Sequence, residues 1–185
     1  LQKTPQIDKK LIGDVIVGCA MPEAEQGMNV ARIAALLAGI PQSVPAMTIN
    51  RFCSSGVQSI ATAAENIRLG APFALAGGVE SMSMVPLGGN KYTANPKIFS
   101  NEHVAIAYGM GITAENVASQ WQVSREAQDE FAALSHRKAT EAQTKGYFNA
   151  EIIPFKLTER RFSSKDLAID YKEHIISKDE GHRAD

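Results

Sequence analysis

The stretch TINRFCSSGVQSIATAAENIRLG, Thr48 to Gly70, decides the fold. It opens on a short β-branched run. Its apolar residues then change spacing: Val57, Ile60, Ala61, Ala64 and Ile67 follow the i, i+3, i+4 repeat of an amphipathic helix, and Gly70 supplies a stop. A strand that turns directly into a helix is a building unit of a parallel α/β sheet. The turn between the two holds Cys53, one of only two cysteines in the chain.

Working outward, IGDVIVG (Ile12 to Gly18) is a compact apolar run with glycine punctuation, the pattern of a buried strand. In GMNVARIAALLAGIP the period switches. Val30, Ile33, Ala34 and Leu37 share one helical face, Asn29 is the N-cap, and Gly39 with Pro41 ends the helix at about Ala38. PAMTIN is the next strand, and FALAGG (Phe73 to Gly78) follows the Cys53 helix. Strand, helix, strand, helix, strand predicts an α/β fold with a mainly parallel sheet covered by helices.

Beyond Met84 the texture changes. VPLGGNKYTANPKIFSNEH is rich in Gly, Asn and Pro and reads as a long irregular connection. Thr113 is placed to cap a helix carrying Ala114, Val117, Ala118 and Trp121, and Ser124 to cap another that runs to Gly146. EIIPF is a candidate strand, while the tail from Lys156 is polar, mixed in charge and gives no clear element. No internal repeat is present.

Nineteen basic and 20 acidic residues leave a net charge of −1, so neither nucleic acid nor an anionic membrane is the expected partner. No run approaches the roughly 18 apolar residues of a membrane span, and LQKTPQIDKK has the pattern of neither a signal nor a transit peptide. Cys19 and Cys53 are too few for a disulfide framework and lack C-x-x-C spacing, so no metal site is expected. A reducing compartment, the cytoplasm, is the expectation.

A cysteine at a strand-to-helix turn sits beside unpaired backbone N–H groups and the positive end of the helix dipole, which favour the reactive thiolate. Parallel sheets also bind ligands beyond the carboxyl ends of their strands, where Cys53 would lie. Cysteine is equally a common small apolar filler, and spacing alone favours the filler.

NRFCSSG followed by AGGVESMSMVP resembles the acyl-enzyme signature of the thiolases. PEAEQGMNVARIAALLAGIPQSVPAMTINRFCSSG is similar to the 3-ketoacyl-CoA thiolase (acetyl-CoA acyltransferase) branch, and GMGITAENVASQWQVSREAQDEFAALSHRKATEAQ to the inserted loop domain of that family. The resemblance runs from about Ile12 to the end. It implies a thiolase-like layered fold, incomplete here, with residues 1–85 as an N-terminal domain lacking its opening strand and helix, and 86–185 as the loop domain over the active site. It implies Cys53 as the nucleophile that takes an acyl group from a 3-ketoacyl-CoA and passes it to a second CoA. Coenzyme A is then a substrate, and no separate cofactor is expected.

By the same resemblance Met110 lines the acyl pocket, and Gly109 before it leaves room for a longer chain, which favours degradation over biosynthesis. Met110 as ordinary apolar filler remains equally open. Homodimers or higher oligomers are implied, joined through the sheet edge carrying the strand before Cys53, with Met47, Arg51 and Glu80 nearby, as is a multienzyme β-oxidation partner. Without the analogy Arg51 and Glu80 are charged residues at strand ends.

The family's Gly-His-Pro base and its second cysteine in Cys-x-Gly-Gly-Gly are not in this sequence. Gly181, His182 and Arg183 lack the proline, and Cys19 lacks the glycines. Cys19 reads as a core thiol, and His103, His136 and His174 as solvated side chains. KLTERRFSSK reads as a solvated charged face in preference to a phosphate-binding loop. The expectation is about half of a subunit, unable to turn over alone. The alternatives are a biosynthetic acetoacetyl-CoA thiolase and a non-catalytic fragment that binds acyl-CoA or forms a dimer surface.

Overall fold

Strand β1 (Ile12–Gly18) has Ile12, Val15 and Ile16 buried and so takes the central place in a three-stranded sheet. The computed structural model describes residues 4–99, 108–163 and 168–183. Strands β2 (Ala46–Ile49) and β3 (Phe73–Gly78) flank β1, both parallel to it. Gly18 pairs with Ile49 on one side and Gly78 on the other, so the three strands finish level. The segments after them, which carry Ala20, Cys53 and Glu80, therefore leave one edge of the sheet.

Helix α1 (Val30–Leu37) packs on β1 and β2 through Ala31 and Ala35, and with Ile12, Val15, Ile40 and Val44 it closes the apolar core on that side. Its ends are satisfied as the sequence suggests. Asn29 accepts from the Arg32 amide at 3.2 Å, and Lys9 donates to the Ala38 carbonyl at 3.2 Å.

Helix α2 (Ser55–Arg68) packs on β1 and β3, but not through its apolar stripe. Val57, Ile60, Ala61, Ala64 and Ile67 are exposed, Ile60 by 63 %, and the face on the sheet is Ser55, Ser59 and Ala63. An amphipathic helix ordinarily turns its apolar side to its own core. Here close approach decides the face. A Cβ on Gly18 would lie 2.5 Å from the Ser55 carbonyl carbon, so only small side chains fit between helix and sheet. Ser59, fully buried, has its hydroxyl within 2.7 Å of the Gly56 carbonyl and 2.9 Å of the Gly77 carbonyl, so no polar atom is stranded there.

Contacts divide the chain into two units, Leu1–Ser100 and Asn101–Asp185. The boundary falls later than the change of texture at residue 85 because the irregular segment is tied back: Val85 is buried, and the Glu23 carboxylate accepts from the Asn90 amide. In the second unit, α3 (Met110–Trp121) starts one turn earlier than a Thr113 cap predicts. Gly109 is the N-cap, and the Thr113 hydroxyl donates back to the Gly109 carbonyl at 3.3 Å. Helix α4 (Arg125–Thr144) is capped by Ser124 as expected, its side chain accepting from the Ala127 amide at 3.1 Å.

The predicted strand in EIIPF begins only at Phe155, since Glu151 and Ile152 still turn back to the Phe148 carbonyl. The polar tail is not shapeless. It forms an antiparallel hairpin of β4 (Phe155–Ser163) and β5 (Ala168–Ile176), so most of KLTERRFSSK is strand. Charge pairs on the hairpin, Lys156 with Glu173 at 2.6 Å and Arg161 with Glu159 at 2.7 Å, replace the apolar alternation that would have announced it.

The inverted packing of α2 gives a clear expectation. Ala63→Leu should destabilise the chain by about 1–3 kcal/mol through overpacking, and Ile60→Ser should stay within about 0.5 kcal/mol. Urea unfolding followed by circular dichroism checks both, and the reverse order would place the Val57 to Ile67 stripe against the sheet.

Candidate active site

Cys53 sits in a single 3-10 turn, Phe52–Ser54, between β2 and α2. The turn is strained. Phe52 has a φ of +49°, a region that costs a side-chain-bearing residue roughly 1–2 kcal/mol. Local hydrogen bonds hold it there. The Asn50 side chain accepts from the Phe52 amide at 2.8 Å, and the buried Ser55 hydroxyl accepts from the Arg51 amide at 2.8 Å and donates to the Phe52 carbonyl at 2.6 Å. Asn50 also donates to the Ala20 carbonyl at 2.9 Å, joining the turn to the segment after β1.

The result is an exposed Cys53 on a cleft of about 400 Å³ at the carboxyl ends of the strands. Gly18, Met21, Phe52, Gly56, Glu80 and Met82 are among its lining residues. Among the described residues the Cys53 amide donates to no backbone or side-chain acceptor. That N–H belongs to the residue that carries the sulfur, and α2 begins two residues later, at Ser55. Ser55 packs against the sheet and ties the turn through its hydroxyl, and Ser54 is the N-cap of α2 without a side-chain capping bond.

Cys19 is a core thiol, 1 % exposed. Burial pushes its ionisation up, the Glu80 carboxylate adds to this, and a hydrogen bond from the Met21 backbone opposes both. Glu80 is more than a charge at a strand end. Its carboxylate accepts from the amides of Ala20 at 2.6 Å and Met21 at 3.3 Å and from the side chain of Gln26. Gln26 is 3 % exposed, donates also to the Met21 carbonyl at 2.9 Å, and accepts from the Ser81 amide at 2.8 Å. Sequence reasoning missed Gln26 altogether, because nothing in PEAEQG separates a buried amide from a solvated one.

Met110 opens α3 in the second unit, with its side chain 67 % exposed. Cys53 and Met110 thus belong to different units. His136 and His174 are half-buried and engaged, His136 accepting from the Arg183 amide at 3.0 Å. His103 lies outside the described residues. Met47 is half-buried on β2, at the edge of the sheet, and Arg51 is exposed. Among the described residues no group of three metal-ligating side chains forms, and no helix is long and apolar enough to cross a membrane.

The family described as "Thiolase, N-terminal domain" matches residues 1–185. The chain belongs to the thiolase family. It is 49 % identical over 174 residues to the 3-ketoacyl-CoA thiolase of Bacillus subtilis, an overlap of 93 % of this chain and 44 % of that protein. It is 46 % identical over 156 residues to the 3-ketoacyl-CoA thiolase of Serratia proteamaculans, covering 83 % of this chain and 40 % of the relative. Against a beta-ketoadipyl-CoA thiolase of Acinetobacter baylyi the identity is 40 % over 190 residues, 94 % of this chain and 47 % of the relative. The chain therefore spans under half the length of these curated thiolases. Its parallel sheet with helices is consistent with the thiolase fold.

Two expectations follow from this geometry. Gly18→Ala drives a methyl group into the first turn of α2 and should cost about 1–3 kcal/mol, whereas a Cβ on Gly56 meets nothing within 4 Å and Gly56→Ala should gain about 0.5–1 kcal/mol; urea titrations of the two variants measure the contrast. Because the folded state holds the Cys19 proton more tightly than the unfolded chain, its contribution is intact at neutral pH and lost as pH rises past the ordinary thiol value of about 8.5. Stability measured between about pH 8.5 and 9.5 should fall, and Cys19→Ala should flatten that slope.

Proposed function

We propose that this chain is part of a 3-ketoacyl-CoA thiolase in which Cys53 is the acyl acceptor. The observation that carries the reading is the exposed sulfur on an open cleft beside its own unengaged N–H and the start of α2. In the proposed reaction the Cys53 thiolate attacks the 3-keto carbon, and the oxygen becomes an oxyanion that the Cys53 N–H stabilises. The bond between C2 and C3 then breaks. Its electron pair leaves with the acetyl-CoA fragment, which takes up a proton, and the shortened acyl group stays on sulfur as a thioester. A CoA thiolate attacks that thioester, forms shortened acyl-CoA and returns the Cys53 thiolate.

The histidine and second cysteine that the family uses for proton transfer are absent from this sequence, so the chain alone is proposed to acylate without turning over. Met110 is proposed to line the acyl pocket, with Gly109 leaving space for a longer chain. The free edge of β2, beside Met47 and Arg51, is the proposed homodimer surface. A cytoplasmic place in β-oxidation, with a multienzyme partner, belongs to the same reading. The relatives named 3-ketoacyl-CoA thiolase, at 49 % and 46 % identity against 40 % for the beta-ketoadipyl-CoA enzyme, favour a fatty acyl chain over a dicarboxylic one.

Acetyl-CoA tests the acceptor directly, because transfer to Cys53 releases CoA and leaves an acetyl thioester visible by peptide mass spectrometry. The expected outcome is at most one acetyl group per chain, on Cys53, abolished in Cys53→Ala and retained in Cys19→Ala. An unmodified Cys53 after prolonged incubation would remove the nucleophile from the reading, and sustained thiolysis would remove the claim that the chain is catalytically incomplete.

A further inference from the structure

The hydrogen bonds around Ala20 form a continuous line from Glu80 to the residue before Cys53. The Glu80 carboxylate holds the Ala20 N–H at 2.6 Å, and the Ala20 carbonyl holds the Asn50 side-chain amide at 2.9 Å. The Asn50 side-chain oxygen Oδ1 holds the Phe52 N–H at 2.8 Å. Phe52 is the residue kept at positive φ, and Cys53 follows it. We infer that Glu80 is a positioning residue for Cys53, acting through the Ala20 peptide and the Asn50 side chain to fix the strained turn that aims the sulfur into the cleft. The inference rests on Cys53 being the acyl acceptor.

The chemistry at position 80 is specific. The Ala20 amide, the Met21 amide and the Gln26 side-chain NH₂ are all donors, and the carboxylate accepts from all three. Only an acceptor-only group satisfies them together, since an amide of the same shape would turn its own NH₂ against one. Gln26 cannot reverse its orientation without loss, because its carbonyl oxygen is engaged by the Ser81 amide at 2.8 Å. Glu80 is thereby held in place by the segments after β1 and β3, and both segments line the same cleft as Cys53. With three N–H donors on its oxygens and the Cys19 sulfur 4.0 Å from Oε1, Glu80 is suited to set geometry.

Two reactions of the same sulfur separate positioning from folding. Acetyl transfer from acetyl-CoA needs the sulfur and the oxyanion donor in register, whereas alkylation by iodoacetamide needs an accessible, ionised sulfur but no oxyanion donor. In the 185-residue chain, Glu80→Gln and Asn50→Ala should each slow Cys53 acetylation roughly tenfold while leaving its alkylation within about twofold. Since both cut one line, the double variant should be no slower than the slower single variant within about twofold, where independent effects would multiply.

Cys19, 1 % exposed and in contact with Glu80, reports the fold independently in Asn50→Ala, where it should stay unalkylated. If Glu80→Gln opens Cys19 to the reagent, Asn50→Ala decides: slow acetylation with unchanged alkylation supports the inference, and wild-type acetylation overturns it. Acetylation and alkylation falling together, multiplicative loss in the double variant, or a wild-type rate in Glu80→Gln each overturn it as well. A wild-type chain that never acetylates Cys53 overturns the acceptor reading and this inference together, whereas normal acetylation in both wild type and Glu80→Gln overturns the inference alone.

Discussion

The closeness of α2 to the sheet is the constraint on which the site depends. Gly18 has no side chain, Gly78 stands level with it on the neighbouring strand, and Ser55, Ser59 and Ala63 present nothing larger than a methyl or hydroxymethyl group. Backbone therefore meets backbone where the helix begins, and the chain must reverse within the few residues from Asn50 to Ser54. That tightness forces Phe52 into the left-handed region and brings the Cys53 amide out unpaired beside its own sulfur. Packing and reactivity are thus one arrangement seen from two sides. The strain at Phe52 is tolerated because Asn50 and Ser55 over-determine the turn.

The two cysteines illustrate how position outweighs residue type. Cys19 ends the central strand, is sealed from solvent and faces a carboxylate, so both surroundings oppose the thiolate. Cys53 lies in the turn after the edge strand and stands on the cleft, beside the start of a 14-residue helix. The sequence separates them by their followers: Cys53 is trailed by Ser-Ser-Gly and a helical repeat, Cys19 by Ala-Met-Pro.

Much of the first unit was legible because its signals are local. The β1, α1 and β3 boundaries come from apolar runs closed by glycine, and Asn29 and Gly39 mark the ends of α1. What was not legible is longer in range. The apolar stripe of α2 has the right period and the opposite orientation, because the glycine that admits the small face, Gly18, lies 37 residues before Ser55. The hairpin of β4 and β5 was hidden because charge pairs stand where alternating apolar residues would signal strand. At the site, Cys53 and the serines behind it could be singled out from sequence, whereas Glu80 and Gln26 could not be joined: 54 residues separate them, and their meeting exists only in the fold.

The outward side of α2 carries a consequence for handling the polypeptide. Val57, Ile60 and Ile67 form an oily ridge in contact with water on the same helix whose other side is locked to the sheet. Water gains by having such a ridge removed from it, so the isolated polypeptide should self-associate as its concentration rises, and mild non-ionic detergent should reverse the clumping. Colloidal behaviour is in this way set by the very helix that presents the sulfur.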